Sequence, residues 1–401
     1  MSYIFFDLII IKAKILVTRF IGLQMQLENI IKNEIKVNRH ISFNEFMNLA
    51  LYYPSLGYYA SPKDKISASG DFITATSQTS IFATTIAQVF TKAIKELGKH
   101  TSIVEFGAGT GKFAVDSICE LERLNNLPYK YIIIELSNDL KLRQQEYIKD
   151  NIPSLFSKFE WLNELPKEKL TAVVFANEVL DAMPVDIFKS KNGKLRQQCV
   201  TLSDNEFQLN DLAQNEPRFN SEAQKLMDDG LTFTDDYTSE INTWISPWIK
   251  SLAECLDKGV ILLCDYGYHR KEYYRSERDM GTLACYHQHK VNFDPFINIG
   301  SQDITAHVDF TSVAESACEN GLELQGYMTQ ANFLKRADIA KIFLDITKRL
   351  DSKDHTRYNN DMKELLLGDK LAEVFKVIGL SKGYEPILEV FNNDDNVDYL
   401  L

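Results

Sequence analysis

Residues 104–111 read Val104-Glu105-Phe106-Gly107-Ala108-Gly109-Thr110-Gly111. A short apolar run that stops at three closely spaced glycines predicts a buried strand turning sharply into a helix. Glycine has no Cβ, so the backbone can turn tightly there and come close to a ligand. A dinucleotide fingerprint is spaced G-x-G-x-x-G, with a pyrophosphate on the following helix N-terminus. Here the spacing is G-x-G-x-G, and an acid, Glu105, comes before the first glycine. The alternative is a Gly-rich turn with a purely structural role.

The chain around this turn alternates between strands and helices. Ile103 to Phe106 is one apolar strand, and residues 112–124 have a helical pattern. Tyr131-Ile132-Ile133-Ile134, Thr171 to Ala176 and Val260 to Cys264 are further buried strands, with a helix over roughly 138–149 after the second. Continuous apolar strands separated by helices mean a parallel sheet covered on both faces. The fold class read here is therefore α/β, a doubly wound sheet beginning near Ser102.

Acidic residues fall where such a sheet binds ligands, at the C-terminal ends of its strands. Glu135 ends the strand after the glycine turn, where a carboxylate can accept both ribose hydroxyls of an adenosine; a solvated strand end is its alternative. G-x-G-x-G after an acid is the spacing that doubly wound S-adenosylmethionine enzymes use for the amino-acid end of the cofactor. The cofactor candidates in this stretch are Glu105, Gly107, Ala108, Gly109, Gly111 and Glu135. The strand Thr171 to Ala176 runs into Asn177-Glu178-Val179-Leu180-Asp181, and Val260 to Cys264 into Asp265-Tyr266-Gly267. Asn177, Glu178, Asp181 and Asp265 are therefore the catalytic candidates, against a reading as caps and surface charges.

Elsewhere the sequence is less decisive. Residues 26–53 read as helical, with Ser42 and Glu45 forming a capping box, and a second helix is expected from about Thr79 to Leu97. Asn192-Gly193 between two apolar runs signals a hairpin. The polar stretch after it has no clear period, and residues 266–309 read as irregular. Asp309 reads either as a site residue or as the cap of a helix from about Thr311. The tail from Arg336 to Gly379 reads as helical. The expected organisation is a tail or mis-assigned start over 1–24, and an N-terminal helical region over 25–98. A core over 99–330 follows, with an insertion at about 185–240, and then a helical extension over 331–401.

Composition excludes some functions. The 401 residues carry a net charge of −12, which disfavours bulk nucleic-acid binding and suits a basic partner. The six cysteines are scattered with no C-x-x-C pair, as in a reducing compartment. His287 and His289 form an H-x-H pair without a companion ligand, so no metal is expected. The apolar run in residues 1–24 is interrupted by Asp7 and too short to span a membrane. A cytoplasmic bacterial protein is expected, or a mitochondrial-matrix one if residues 1–24 are a targeting peptide. The sequence does not fix the oligomeric state.

Several ordered motifs give a resemblance. They are Pro54-Ser55-Leu56-Gly57-Tyr58-Tyr59, Gly70-Asp71-Phe72-Ile73-Thr74, Val104 to Gly111, Asn177-Glu178 with Asp181-Ala182-Met183-Pro184-Val185, Asp265-Tyr266-Gly267, Asp303 to Phe310, and Phe375-Lys376-Val377. From about Ile41 to Ser381 the chain resembles the MidA-like family of S-adenosylmethionine-dependent methyltransferases. Ser239 to Asn242 and Gly281 to Leu283 look like its bacterial branch. The resemblance implies a class I methyltransferase (Rossmann-like) sheet with N-terminal helices, an inserted segment and a helical C-terminal extension. It implies that Gly70, Asp71, Phe72 and Thr74 belong to a loop closing over the cofactor. Through the mitochondrial member it implies a protein substrate presenting an arginine of a respiratory complex I subunit. Val179-Leu180 departs from the paired Phe common in the family, and Ala108-Gly109 from its Pro-Gly. The rival readings are an assembly protein that binds the cofactor with little turnover, and a nicotinamide oxidoreductase, against which the glycine spacing argues.

Overall fold

The computed structural model describes residues 25–61, 79–349, 352–368, 371–392 and 397–400. They divide into two units. One comprises the described parts of Asp64–Met183, Asn242–Arg278 and His307–Leu401; the other, those of Met1–Lys63, Pro184–Ile241 and Asp279–Ala306.

The first unit is built on a sheet whose main strands are, in chain order, β1 (Ser102–Phe106), β2 (Tyr131–Ile134), β3 (Phe159–Leu162), β4 (Leu170–Asn177), β5 (Leu256–Tyr268), β6 (Glu323–Thr329) and β7 (Phe375–Lys382). Their spatial order is β6-β7-β5-β4-β1-β2-β3. Strands β1 to β5 pair in parallel, whereas β7 runs antiparallel to both β5 and β6. Successive residues of a strand point to opposite faces, and both faces are apolar here. Ile103, Ile133, Val173 and Val260 pack with Phe82, Phe90 and Phe113 from the helices Ile81–Leu97 and Lys112–Arg123. Val104, Ile132, Val174 and Ile261 pack with Ile249, Phe310 and Val313 from the helices Ile245–Cys255 and Phe310–Glu319. That two-sided burial explains the uninterrupted apolar strands. The chain order reverses between β1 and β4, so their C-terminal ends flank the switch point where open sheets bind ligands.

The tail departs from its helical expectation at one end. Helices Gln330–Arg336, Ile339–Thr347 and Ser352–Leu367 form, but residues 375–382 are β7, inserted between β5 and β6. A short apolar run such as Phe375-Lys376-Val377-Ile378 has no periodicity that separates strand from buried helix. Its eight paired residues along β5 decide the matter.

The second unit joins segments far apart in sequence. Helix 25–38 and helix Phe43–Tyr52 are separate because Arg39 takes φ 72° and Ser42 caps the second, its Oγ accepting from Glu45 N–H at 3.2 Å. Ile41–Ser42 pairs with the strand Lys194–Ser203, which forms the expected hairpin with Asp186–Lys191 through Asn192 and Gly193, at φ 53° and 69°. The polar stretch beyond it forms a strand, Glu206–Asp211, and a helix, Pro217–Asp228. Part of the region read as irregular is a three-stranded sheet of Ala284–His287, Lys290–Asn292 and Asp303–Thr305. The quoted motifs brace this unit. Tyr59 donates its hydroxyl proton to Asp303 at 2.8 Å, and buried Glu240 accepts from the N–H groups of Thr282 and Leu283.

Candidate active site

The end of β1 is shaped by backbone conformation. Gly107, Gly109 and Gly111 lie in the left-handed region at φ 61°, 55° and 82°, which side chains disfavour. Gly111 is the N-cap of the helix Lys112–Arg123, and its N–H closes on the carbonyl of Ala108 at 2.8 Å. The result is a turn without side chains at three positions, leading into a helix N-terminus that favours an anionic group.

Glu135, at the end of β2, is 7% exposed. One carboxylate oxygen accepts from the N–H of Ser137 at 2.9 Å and the other from Nε2 of Gln144 at 2.9 Å. Burial raises its pKa, and these donors pull it back. The same Nε2 donates to the carbonyl of Gly109 at 3.0 Å, and Gln144 Oε1 accepts from the indole of Trp161 at 3.0 Å. Glu105 has a different setting within β1. It is 3% exposed and accepts the hydroxyl of Tyr131 at 2.7 Å, and burial pushes its pKa up to about 8. The structure thus gathers Gly107, Ala108, Gly109, Gly111 and Glu135 at two neighbouring strand ends, and engages Glu105 with Tyr131. Gly70, Asp71, Phe72 and Thr74 lie outside the described residues.

At the end of β4 a second turn carries acids. Glu178 sits at φ 53°, a left-handed conformation that costs a non-glycine residue about 1 kcal/mol or more. Its N–H bonds to the carbonyl of Cys264 at 3.0 Å. Next, Oδ2 of fully buried Asp265 accepts from the N–H groups of Val179, Leu180 and Asp181 at 3.1, 2.9 and 3.3 Å, while Oδ1 accepts from Tyr266 N–H at 2.9 Å. Asp265 was expected to face a substrate; instead both its oxygens hold backbone. Burial, then the charges of Asp181 and Glu178, raise its pKa.

Further polar side chains lie in the same turn and beside Tyr266. Asn177 Nδ2 donates to Glu178 Oε1 at 2.9 Å, whereas its Oδ1 is buried with no hydrogen-bond partner among the described residues. The Tyr266 hydroxyl donates to Asp181 Oδ2. Burial raises the Asp181 pKa to about 6, with the Tyr266 bond holding it back. The ring of His307 lies 5.1 Å from that of Tyr266, and burial with Arg278 and Lys376 lowers its pKa to about 4, so it is neutral near pH 7. A Cβ on Gly107 would come 3.3 Å from Val179 Cγ2, so the two turns adjoin.

Sequence reasoning missed Gln144, Tyr131 and Tyr266. Gln144 is fully buried on the otherwise polar helix Asn138–Asn151, where nothing in the pattern singles it out. Tyr266 stands inside a quoted motif in which only the acid was read. Asp309 does cap its helix, accepting from the N–H groups of Thr311 and Ser312, and also pairs with buried Arg270 at 3.1 Å. His287 Nδ1 lies 2.7 Å from the carbonyl of Ser301, and His289 occupies a left-handed turn at φ 60°.

The site suits a ligand with an amino-acid end and a ribose, by its bare glycine turn, its buried carboxylate and the unpartnered acceptor of Asn177. The profile of a family described as S-adenosyl-L-methionine-dependent methyltransferases matches residues 85–328. A Burkholderia thailandensis protein, crystallised with S-adenosyl-homocysteine bound, is similar with a TM-score of 0.86 and 31% identity, over 95% of this chain and 98% of that one. Two curated relatives are each named protein arginine methyltransferase NDUFAF7 homolog, mitochondrial. The one from Drosophila melanogaster is 24% identical over 323 residues, covering 73% of this chain and 70% of the relative. The one from Caenorhabditis elegans is 24% identical over 343 residues, covering 78% and 76%.

Proposed function

The chain belongs to this S-adenosyl-L-methionine-dependent methyltransferase family, with S-adenosylmethionine as its cofactor, and on that premise we propose that it methylates an arginine of a protein substrate. The observation that carries the reading is the acidic turn of Asn177, Glu178 and Asp181 beside the glycine turn. The names of the two curated relatives support it. By the same resemblance, a subunit of a respiratory complex I-type assembly is the substrate we favour.

The cofactor supplies a methyl group already activated on a sulfonium, so the protein's task is chiefly alignment. In this reading Gly107, Ala108, Gly109 and Gly111 border the amino-acid end, and Glu135 takes the ribose hydroxyls. An arginine guanidinium stays charged and is a poor nucleophile until oriented. Carboxylates grip it in pairs and localise its charge. Glu178 and Asp181 fill that role, with Asn177 Oδ1 as a further acceptor for an N–H. Glu178 would accept the proton that the guanidinium nitrogen loses when the methyl carbon passes to it from sulfur, whose bonding pair stays behind on the neutral thioether. Asp265 and Tyr266 act as positioning residues, the first holding the turn and the second orienting Asp181.

The test is incubation with methyl-labelled S-adenosylmethionine and a lysate lacking this protein, followed by mass spectrometry of the labelled bands. Label on arginine nitrogens is the expected outcome. Label on another residue type or on a small molecule overturns the substrate. Saturable cofactor binding with no transfer supports an assembly protein instead.

A further inference from the structure

We infer that Gln144 is a positioning residue for the cofactor, tying the glycine turn to the ribose carboxylate; this rests on the reading of Glu135 as the ribose acceptor. Gln144 is fully buried, and its amide makes three hydrogen bonds. Nε2 donates to Glu135 Oε2 at 2.9 Å and to the Gly109 carbonyl at 3.0 Å, and Oε1 accepts from Trp161 Nε1 at 3.0 Å. The partners fix the amide's orientation. An indole N–H only donates, and a carbonyl or carboxylate oxygen only accepts. Reversing the amide would set its oxygen against two acceptors and its NH2 against a donor.

One side chain therefore spans the two ends of the proposed ligand site. Gly109 is the middle residue of the turn that borders the amino-acid end, and Glu135 is the group that faces the ribose. A donor within 3.0 Å of both holds their separation fixed, so the site is shaped before the ligand arrives. It also satisfies a buried carboxylate that is costly to leave with fewer donors. A glutamine that merely filled space would need no such set of partners, and leucine or methionine would serve as well in a buried helix face.

The consequence is a coupling that binding can reveal. Two probes are needed, S-adenosylhomocysteine and its analogue lacking both ribose hydroxyls, with affinities measured by calorimetry on the full chain. Wild type should prefer the hydroxylated ligand about tenfold or more, as charge-assisted hydrogen bonds imply. In Gln144→Met, affinity for S-adenosylhomocysteine should fall about tenfold and that preference should shrink at least threefold. Gln144→Glu keeps the shape and the bond from Trp161 and, assayed at a pH high enough to ionise both carboxyls, replaces the donor toward Glu135 with a like charge. It should show the same loss of preference, and it provides the answer if the methionine variant does not fold. A Gln144 variant that folds and keeps the wild-type preference overturns the inference, whatever its overall affinity. Failure of the underlying reading has a separate signature. If wild type and Glu135→Ala show the same preference, Glu135 does not hold the ribose, and the coupling through Gln144 falls with it.

Discussion

At the end of β1 the chain turns on Gly107, Gly109 and Gly111, with φ of 61°, 55° and 82°; at the end of β4 it turns on Glu178, at φ 53°. The first turn adopts the left-handed region with residues for which it is inexpensive. The second imposes it on a glutamate, and the surrounding bonds hold it there. Cys264 accepts the N–H of Glu178, and buried Asp265 collects the next three N–H groups. Under the proposed function, the difference follows from what each turn would present. A turn that lets backbone approach a ligand gains from having no side chain. A turn that must present a carboxylate cannot use glycine, so its strain is held by a group behind it.

Mutations can break this comparison. The largest expected effect is that of Glu178→Gln, which keeps shape and most hydrogen bonding but removes the charge. Methyl transfer should fall by roughly 10²–10⁴, while calorimetry finds cofactor affinity little changed. Normal transfer would remove Glu178 from the proposed catalytic set, and lost cofactor binding would move it to the other turn. Next is Gly109→Val, which puts a branched side chain at φ 55°. Cofactor affinity should drop by more than about a hundredfold with the fold retained, as circular dichroism would report. Unchanged affinity would leave the glycine turn a purely structural device.

Glu135→Ala should weaken S-adenosylmethionine and S-adenosylhomocysteine alike, by about ten- to a hundredfold, since both carry the ribose. Affinities equal to wild type for the two would count against the assignment. The acidic turn should also respond to pH. Because burial raises Asp181 to about 6, it is ionised at neutral pH and protonates as the pH falls through that value. The pH profile of transfer should then lose about tenfold per unit below about pH 6. A flat profile down to pH 5 would exclude Asp181 as a working carboxylate. The smallest effect sharpens the contrast. Glu178→Gly should relieve the left-handed strain and raise fold stability by about 1 kcal/mol in denaturant titrations. A destabilised Glu178→Gly protein would mean that the glutamate's own contacts outweigh its strain.

The two turns also differ in how far they could be read from sequence. G-x-G-x-G after an apolar run announces both the conformation and its place in the sheet, and β1, β2, β4 and β5 follow from their apolar runs. Nothing local announces Glu178. Its conformation depends on Asp265, 87 residues away in sequence. That Asp265 closes the apolar run of β5 was legible, but the direction of its side chain, toward backbone N–H groups, was not. β7 was hidden for a related reason, since Phe375 to Lys382 is a strand because β5 and β6 lie on either side of it. Gln144 shows the same limit at the level of one residue. A glutamine on a polar helix looks solvated until its three partners, at Glu135, Gly109 and Trp161, are in place.

The bond from Tyr59 to Asp303 and the pairing of Ile41–Ser42 with Cys199 and Val200 join parts of one unit that leave the ribosome at very different times. At roughly 5–20 residues per second, the segment ending at residue 61 precedes residue 306 by about 10–50 s. Fully buried Phe46 lacks both of its later ring neighbours until Phe207 emerges, and one of them until Phe296 emerges late in that interval. Nascent chains are therefore most open to aggregation, or to capture by a chaperone, before the Ala284–Thr305 stretch emerges. A pulse of protease on stalled chains should cut near residues 25–61 until that stretch is complete, and spare them afterwards.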